Sequence, residues 1–472
     1  MNSLRSRAAT ATAAAVGLIA LLPGVALGHA MNATYTSRLP LAVYLAGAAL
    51  TVGLSFVFVL LRDVRAGPVA AQTEGRLPPA WLRFVLRAIG LLAWIWIVVQ
   101  GIAGGTSDAN VASLFLQVYG WVGIAILSAV VGPAWHWLDP FSTLFDIGAA
   151  IVRRLGIQSW ERSEYPARLA RWPAAIGMAF VIWLELVAGG GGPNTLLVVL
   201  LGYTALTLAM MSQFGRDEWR SNGEVFTVWF RLLGRLAPIA LVDEAGRVRR
   251  RPFGSGLLAR DWHVSDVVVV ALGVGAVLFD GLSQTQVYFD LFGFTEAPQE
   301  AMLLFAFLGL VVGAAVGLSR LLGPEPAGAG LLPIAAGYII AHYMTYLLID
   351  GQQIIVAISD PLQRGWDLFG TAFHKPDGAW LPPGLVWTVQ LAAVVGGHML
   401  GAWGGHAAAA AVAPPGTTTQ ALRVRQVPLA IVMVALTTLT LWSLGQALVV
   451  TPEDEEAAVR AVAAIAETRT HH

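Results

Sequence analysis

Ten apolar segments of about 20 residues dominate this chain and constrain its fold more than any other feature. Each is close to the ~20 residues that a helix needs to cross the hydrocarbon core of a bilayer. Only 12% of the 472 residues are charged, whereas a soluble domain carries about 25%. We therefore predict an all-α polytopic bundle of transmembrane helices. The predicted spans are 41–61, 88–105, 112–132, 173–190, 195–213, 264–281, 300–319, 331–350, 384–405 and 429–450.

The first 28 residues are typical of a secretory signal peptide. Arg5 and Arg7 precede an apolar run, and Ala26-Leu27-Gly28 is a small-x-small cleavage site. Cleavage after Gly28 makes His29 the new N-terminus, whereas cleavage after Ala30 and an uncleaved first span are the alternatives. The transmembrane domain then covers 29–450, and 451–472 form an exposed C-terminal tail.

The distribution of positive charge predicts the orientation. The 29 basic residues balance 29 acidic ones, so net charge indicates no nucleic-acid partner. The loops 62–87, 133–172, 214–263, 320–330 and 406–428 hold 22 of the Lys and Arg residues, and the loops of the other side hold five. Because basic loops stay in the cytoplasm, we expect a bacterial cytoplasmic (inner) membrane protein whose mature N-terminus lies outside and whose main partner is the lipid bilayer.

Three loops are expected to be ordered. The segment 133–152 mixes aromatic and acidic residues and predicts an interfacial or re-entrant helix. In 215–239, Ser221 with Glu224 three residues later matches a capping box, and the following apolar spacing predicts a basic amphipathic helix on the inner leaflet. The outer loop 351–383 is rich in turn residues and aromatics, which favours a folded lid.

A polar seam runs through the eighth predicted span. Tyr338, His342, Tyr346 and Asp350 follow one another at four-residue spacing, so they lie on one face of a helix. Ionisable groups at membrane depth are costly and normally face the bundle interior or a water-filled cavity. The seam is therefore one wall of a candidate site.

Further ionisable residues lie in other spans. Glu185, Asp280 and Asp350 fall towards the outer ends of the fourth, sixth and eighth spans, whereas His342 and His398 lie deeper in the eighth and ninth. We predict that Glu185, Asp280, His342 and Asp350 are catalytic residues of one site in the outer half of the bundle. Caps at helix ends are the alternative role, especially for the two aspartates.

The ninth span also carries small residues at one face. Gly397, Gly401 and Gly405 are four residues apart, and such residues let two helices approach closely. We predict that the eighth and ninth spans are neighbours.

The absence of cysteine excludes thiolate metal sites and leaves His and carboxylates as ligands. His342, His398 and His29 are candidate metal ligands for Zn, Mn or Cu. Two alternatives stay open. His342 and His398 on facing helices would ligate a b-type haem, and the free amine and imidazole of His29 would chelate copper if cleavage follows Gly28.

Five stretches carry a resemblance to a known family: WLDPFSTLF (137–145), FGRDEWRSNGEVFTVWFRLLGRLAP (214–238), LFDGLSQT (278–285), AHYMTYLLIDGQ (341–352) and SDPLQRGWDLFGTA (359–372). They resemble a group of bacterial polytopic membrane proteins commonly labelled fenitrothion hydrolase. The similarity covers most of the chain after the signal, and it assigns no catalytic residue. It implies metal-assisted hydrolysis of an organophosphate ester, with a small-molecule substrate. A copper- or haem-binding redox protein and an ion-coupled transporter are the alternatives, and a membrane partner subunit stays open.

Overall fold

The computed structural model describes most of the chain after residue 72. The predicted signal peptide, His29, most of the first predicted span and the C-terminal tail lie outside the described residues. The described residues are 47, 50, 53–54, 73–105, 110–157, 161–188, 192–293, 295–414 and 417–444.

Long apolar helices form the fold and confirm the predicted all-α class. Within the described part of the chain, nine helical segments are long and apolar enough to cross a membrane. They correspond to the second through tenth predicted spans. We number their helices α1 (Ala80–Ala103), α2 (Val111–Val130), α5 (Trp172–Leu186), α6 (Pro193–Phe214), α9 (Val264–Ser283), α11 (Ala297–Leu322), α12 (Pro324–Ile349), α14 (Pro383–Val412) and α15 (Thr419–Leu444).

Shorter elements connect the long helices. Turns of 3-10 helix lie at Ala167–Leu169, Ser255–Leu258 and Asp350–Gln352. The two strands pair antiparallel, with Ala240 opposite Arg249. The remaining elements are α3 (Trp135–Leu138), α4 (Pro140–Arg154), α7 (Arg216–Asn222), α8 (Val225–Leu233), β1 (Ile239–Leu241), β2 (Val248–Arg250), α10 (Gln286–Phe292) and α13 (Gln353–Ser359).

Contacts between loops define two ends of the bundle. At the hairpin end, the β1–β2 hairpin bonds to the segment before α1, where the Arg76 amide donates to the Val248 carbonyl at 2.7 Å. At the opposite end, which we call the loop end, Arg364 donates to the Ala103 carbonyl that ends α1. The loops predicted to be inner lie at the hairpin end. Which compartment each end faces stays a prediction from the charge distribution.

Helix α9 is the centre of the bundle. Its residues from Ser265 to Asp280 are buried, because the helix is apolar around its whole circumference and such helices occupy interiors. It packs against α5, α11 and α12. Asp280 is consequently held inside protein rather than against lipid.

Helices α12 and α14 pack closely, which confirms the predicted neighbourhood of the eighth and ninth spans. A Cβ built on Gly397 would lie 2.6 Å from the Pro333 carbonyl oxygen and 3.4 Å from the Gly337 Cα. Only glycine lets the two backbones approach this closely. The interface fixes the depth of α14 side chains relative to those of α12.

The predicted capping box at Ser221 is wrong. Ser221 lies inside α7, where its hydroxyl donates to the Asp217 carbonyl at 2.8 Å. Glu224 is itself the N-cap of α8 and accepts from the amides of Phe226 and Thr227. A glycine, Gly223, ends α7 before the cap, so the segment forms two helices instead of one.

The predicted placement of this helix on the inner leaflet is also wrong. Trp229, Phe230 and Leu233 of α8 are buried in the protein core. The amphipathic pattern of a helix is the same whether its apolar face contacts lipid or other helices, so the sequence could not separate the two. In 133–152, by contrast, α4 leaves Ile147 and Ile151 exposed.

The loop after α12 is internally bonded. The chain continues as helix α13 past the predicted end of the span and then turns. The Asp360 carboxylate accepts from the amides of Arg364 and Gly365, both at 2.8 Å. The Ser359 hydroxyl donates to Asp367 at 3.0 Å. These bonds hold the loop over the loop end of the bundle.

Candidate functional site

Asp280 is the centre of a buried polar cluster at the loop end of α9. Its Oδ2 pairs with His342 Nε2 at 2.8 Å and accepts from the Tyr343 hydroxyl at 3.0 Å. Its Oδ1 accepts from Gln284 Nε2 at 2.8 Å. Asp280, His342 and Tyr343 are each at most 9% exposed. The structure therefore brings together two residues that the sequence predicted to share a site.

Local backbone geometry explains the close approach. Gly281 follows Asp280, and a Cβ built there would lie 3.2 Å from Ser443 Oγ and 3.8 Å from His342 Cε1. A larger residue would press on both neighbours. Gly281 thus lets α9 approach α12 and α15 where the carboxylate meets the imidazole.

Glu185 and Asp350 lie around the same centre. Glu185 of α5 is half-buried and lies within electrostatic range of Asp280. Tyr346 lies one turn after His342 and interacts electrostatically with Glu185, Asp350 and Asp280. Asp350 itself is exposed at the end of α12. We call Glu185, Asp280, His342, Tyr343 and Tyr346 the acid–imidazole cluster, with Asp350 at its rim.

The hydrogen bonds of the cluster join an imidazole and a phenol to one carboxylate. A phenol that bonds to a carboxylate must donate its single hydrogen, so Tyr343 donates to Asp280. His342 Nε2–H donates to the same oxygen when Asp280 is ionised. Both bonds to the ionised carboxylate are then charge-assisted, which makes them stronger than bonds between neutral groups.

His398 lies apart from the cluster. It is fully buried, its Nδ1 bonds to the Val394 carbonyl at 2.8 Å, and its Nε2 bonds to the Tyr338 hydroxyl at 3.4 Å. Both ring nitrogens therefore bond within the protein, whereas His342 bonds to Asp280. These contacts give no support to the prediction of paired axial haem ligands.

The described part of the chain contains no set of side chains that could coordinate a metal ion. Among those residues, no three His, Asp or Glu side chains are arranged to hold a metal ion. His29, the third candidate ligand, lies outside the described residues. The Zn, Mn or Cu site thus stays a prediction without geometric support.

A second buried polar network lies at the hairpin end, and the sequence reasoning missed it. The Arg220 guanidinium, 2% exposed, pairs with the Asp139 carboxylate at 3.2 Å. Glu224 is fully buried and accepts from the Tyr203 and Thr227 hydroxyls. The stretches 137–145 and 214–238 supply most of this network. Both stretches combine charged and aromatic residues. This shared composition was the signal in the sequence that could have indicated the network.

Burial shifts the pKa values of Glu224 and His136 in this network. The pKa of the Glu224 carboxyl is raised by desolvation and by the nearby Asp139. The pKa of His136 falls to about 3 because of burial and the surrounding positive charges of Arg220, Arg231 and two further arginines. His136 is consequently neutral at neutral pH.

No protein-family model matches the chain, and neither a curated protein nor a solved structure does.

Proposed function

We propose that this membrane protein is an ion-coupled transporter whose coupling site is the acid–imidazole cluster. The observation that carries the proposal is the Asp280 carboxylate, which is buried among spanning helices and bonded to His342 and Tyr343, with Glu185 in electrostatic range. Intramembrane carboxylate and imidazole groups typically mark ion pathways and proton relays.

Irregular helices beside the cluster support this proposal. Residues Leu114–Gly123 of α2 form a π-helix, and α12 is interrupted by the 3-10 turn Asp350–Gln352 before α13 begins. The two meet where the Tyr119 hydroxyl donates to the Gly351 carbonyl at 2.7 Å. π-Helical segments are frequent at functional sites, and interrupted spanning helices commonly form transporter ion sites.

The charges of the cluster favour a cation as the coupled ion. Glu185, Asp280 and the rim residue Asp350 supply three carboxyl groups against the one imidazole of His342. A proton and an exchanged cation would compete for the Asp280 carboxylate, although the described residues offer no three-ligand metal set. Protonation of Asp280 would weaken its bond to His342, because the bond to a neutral carboxyl is weaker than the bond to a carboxylate. The packing of α9 against α12 would then depend on which ion is bound.

Hydrolysis of an organophosphate ester is the second candidate. The pairing of His342 with Asp280 resembles the base and orienting carboxylate of many hydrolases. With Nε2–H held by Asp280, the Nδ1 of His342 would take the proton from a water that attacks phosphorus. The stretches similar to the fenitrothion hydrolase group, 278–285 and 341–352, contain both residues. In this hydrolytic mechanism the His342 imidazole activates water, and no step is assigned to a metal.

Everted membrane vesicles test the first candidate. A respiration-driven proton gradient is followed with a fluorescent amine, and Na⁺, K⁺, Mn²⁺ or Zn²⁺ is then added. We expect at least one cation to dissipate the gradient in vesicles with the wild-type protein but not with Asp280→Asn or Glu185→Gln. Asp290→Asn is the matched control, because Asp290 is an exposed carboxylate of α10 that bonds to Gln286.

The same membranes separate the two candidates. Failure of all four cations to dissipate the gradient would contradict transport. Release of 3-methyl-4-nitrophenol from fenitrothion that is lost in His342→Gln would then establish the hydrolase. Equal dissipation by wild type and Asp280→Asn would show that the cluster is not the coupling site.

A further inference from the structure

The loop that follows α13 leaves its large apolar side chains uncovered. Phe373 is 88% exposed and Phe369 is 68% exposed. Trp366, Leu368 and Trp380 of the same loop are exposed as well. Proteins in water bury most residues of these types, and a set of them on the surface commonly marks a contact with a membrane or another protein. We call these five side chains the outward apolar residues.

Hydrogen bonds fix the first half of this loop to the end of α13. The Asp367 carboxylate accepts from the Ser359 hydroxyl and from the Ala372 amide, both at 3.0 Å. The amides of Leu368 and Phe369 donate to the Ser359 carbonyl and hydroxyl oxygens, each at 3.0 Å. Ser359 itself is fully buried. The exposed side chains therefore extend from a turn whose backbone is held in place.

Gln352 holds the second half of the loop. Its Nε2 donates to the Leu348 and Asp377 carbonyls at 3.0 and 2.9 Å. Its Oε1 accepts from the Asp377 amide at 3.1 Å and bonds to His374 Nε2 at 3.2 Å. A side-chain amide has two donor hydrogens and two acceptor lone pairs, so Gln352 uses all four. His374 is thus tied to the helix, whereas its neighbour Phe373 faces outward.

The loop lies at the level where two neighbouring spanning helices end. Arg364 donates to the Ala103 carbonyl that ends α1, and Ile102 in the last turn of α1 is exposed. Trp380 comes just before α14, and Leu385 in the first turn of α14 is exposed too. Exposed apolar residues of α1 and α14 consequently flank the outward apolar residues.

Polar and apolar residues of the loop are arranged in the reverse of the pattern expected in water. Asp367 and His374 bond to the protein, whereas the adjacent Leu368 and Phe373 are exposed. Removing apolar surface from water is favourable, so this pattern favours an apolar contact outside the loop.

We propose that the outward apolar residues insert into the lipid leaflet at the loop end, at the boundary between headgroups and acyl chains. Lipid is the partner that continuity favours, because the exposed Ile102 and Leu385 on either side belong to spanning helices. Tryptophan is enriched at this boundary, and the long side chains of Arg364 and Lys375 reach headgroups from it. The loop is then a membrane anchor, unlike the folded lid expected from the sequence. This inference goes beyond the coupling site and does not depend on the ion transported.

A spin label placed on the loop tests the proposal, because the chain contains no cysteine of its own. Full-length Phe373→Cys and, separately, Phe369→Cys are labelled with a nitroxide and reconstituted in lipid nanodiscs. Power saturation in EPR then measures collisions of the label with oxygen, which concentrates in lipid, and with a nickel chelate, which stays in water. We expect collisions with oxygen to exceed those with the chelate at both positions.

Glu161→Cys is the matched control, because Glu161 is an exposed charged residue of a loop at the hairpin end. Its label should collide more with the chelate than with oxygen. The same order at positions 369 and 373 would overturn the proposal, since the loop would then lie in water. Few collisions with either reagent would overturn it as well, because protein would then cover the loop. Both phenylalanine side chains are exposed, so their replacement removes no buried packing.

Discussion

Replacing Gly397 by alanine should force α12 and α14 apart. The new Cβ would lie 2.6 Å from the Pro333 carbonyl oxygen, whereas non-bonded heavy atoms pack at about 3.5 Å. The backbones must therefore separate by roughly 1 Å. Because Tyr338 follows Gly337 and His398 follows Gly397, this separation also weakens the bond between the two buried side chains.

The magnitude follows from two opposing terms. Overpacking costs about 1–3 kcal/mol, and the better helix propensity of alanine over glycine returns about 1 kcal/mol. Gly396→Ala gains only the propensity term, because a Cβ at Gly396 meets nothing within 4 Å. The two neighbouring variants should thus differ by about 1–3 kcal/mol in the free energy of unfolding, with Gly397→Ala the less stable.

Unfolding followed by intrinsic fluorescence measures the difference, since the chain contains 17 tryptophans. The free energy of unfolding of Gly397→Ala should be lower than that of the wild type or close to it. That of Gly396→Ala should equal or exceed the wild-type value. Equal stability of the two variants, or a more stable Gly397→Ala, would refute the close backbone contact between α12 and α14.

Two further predictions concern the hairpin end. Arg220→Ala should destabilise the protein by about 3–5 kcal/mol, because it leaves the buried Asp139 carboxylate without its cation. Arg231→Ala is the comparison, since its partner Glu244 is partly exposed and such pairs contribute about 0–1 kcal/mol; similar losses in both would contradict the buried pairing. For His136, the folded pKa of about 3 lies below the ordinary value of 6.5. Only the unfolded chain takes up the proton between these values, so stability falls as the pH drops from 6.5 towards 3. The His136→Gln variant should lose less stability than wild type over that interval, and parallel curves would show that His136 does not contribute.

Spacing alone predicted the seam of the candidate site. Tyr338, His342 and Tyr346 share one face of α12 because the helical repeat allows no other arrangement. The partner Asp280 lies on another helix, and only the cost of a charge at membrane depth indicated that it would turn inward. That argument predicts no distance between the two side chains. Only the structure shows that His342 bonds directly to Asp280.

The hairpin-end network shows where sequence reasoning failed. Arg220, Glu224 and Asp139 were placed in loops that a bilayer would leave at its surface. A charged residue flanked by aromatics is compatible with a headgroup contact and with a buried ion pair alike. Tertiary packing of α8 against the bundle decided between them, and no local pattern encodes it.

Infrared difference spectroscopy of the reconstituted protein tests the central claim that the acid–imidazole cluster binds and releases a proton. Lowering the pH should produce the carbonyl band of a newly protonated carboxyl group. We predict that the band is present in the wild type and in Asp290→Asn, and that Asp280→Asn or Glu185→Gln removes or shifts it. A spectrum without such a band in the wild type, or an identical band in all four proteins, would contradict a protonatable site built around Asp280.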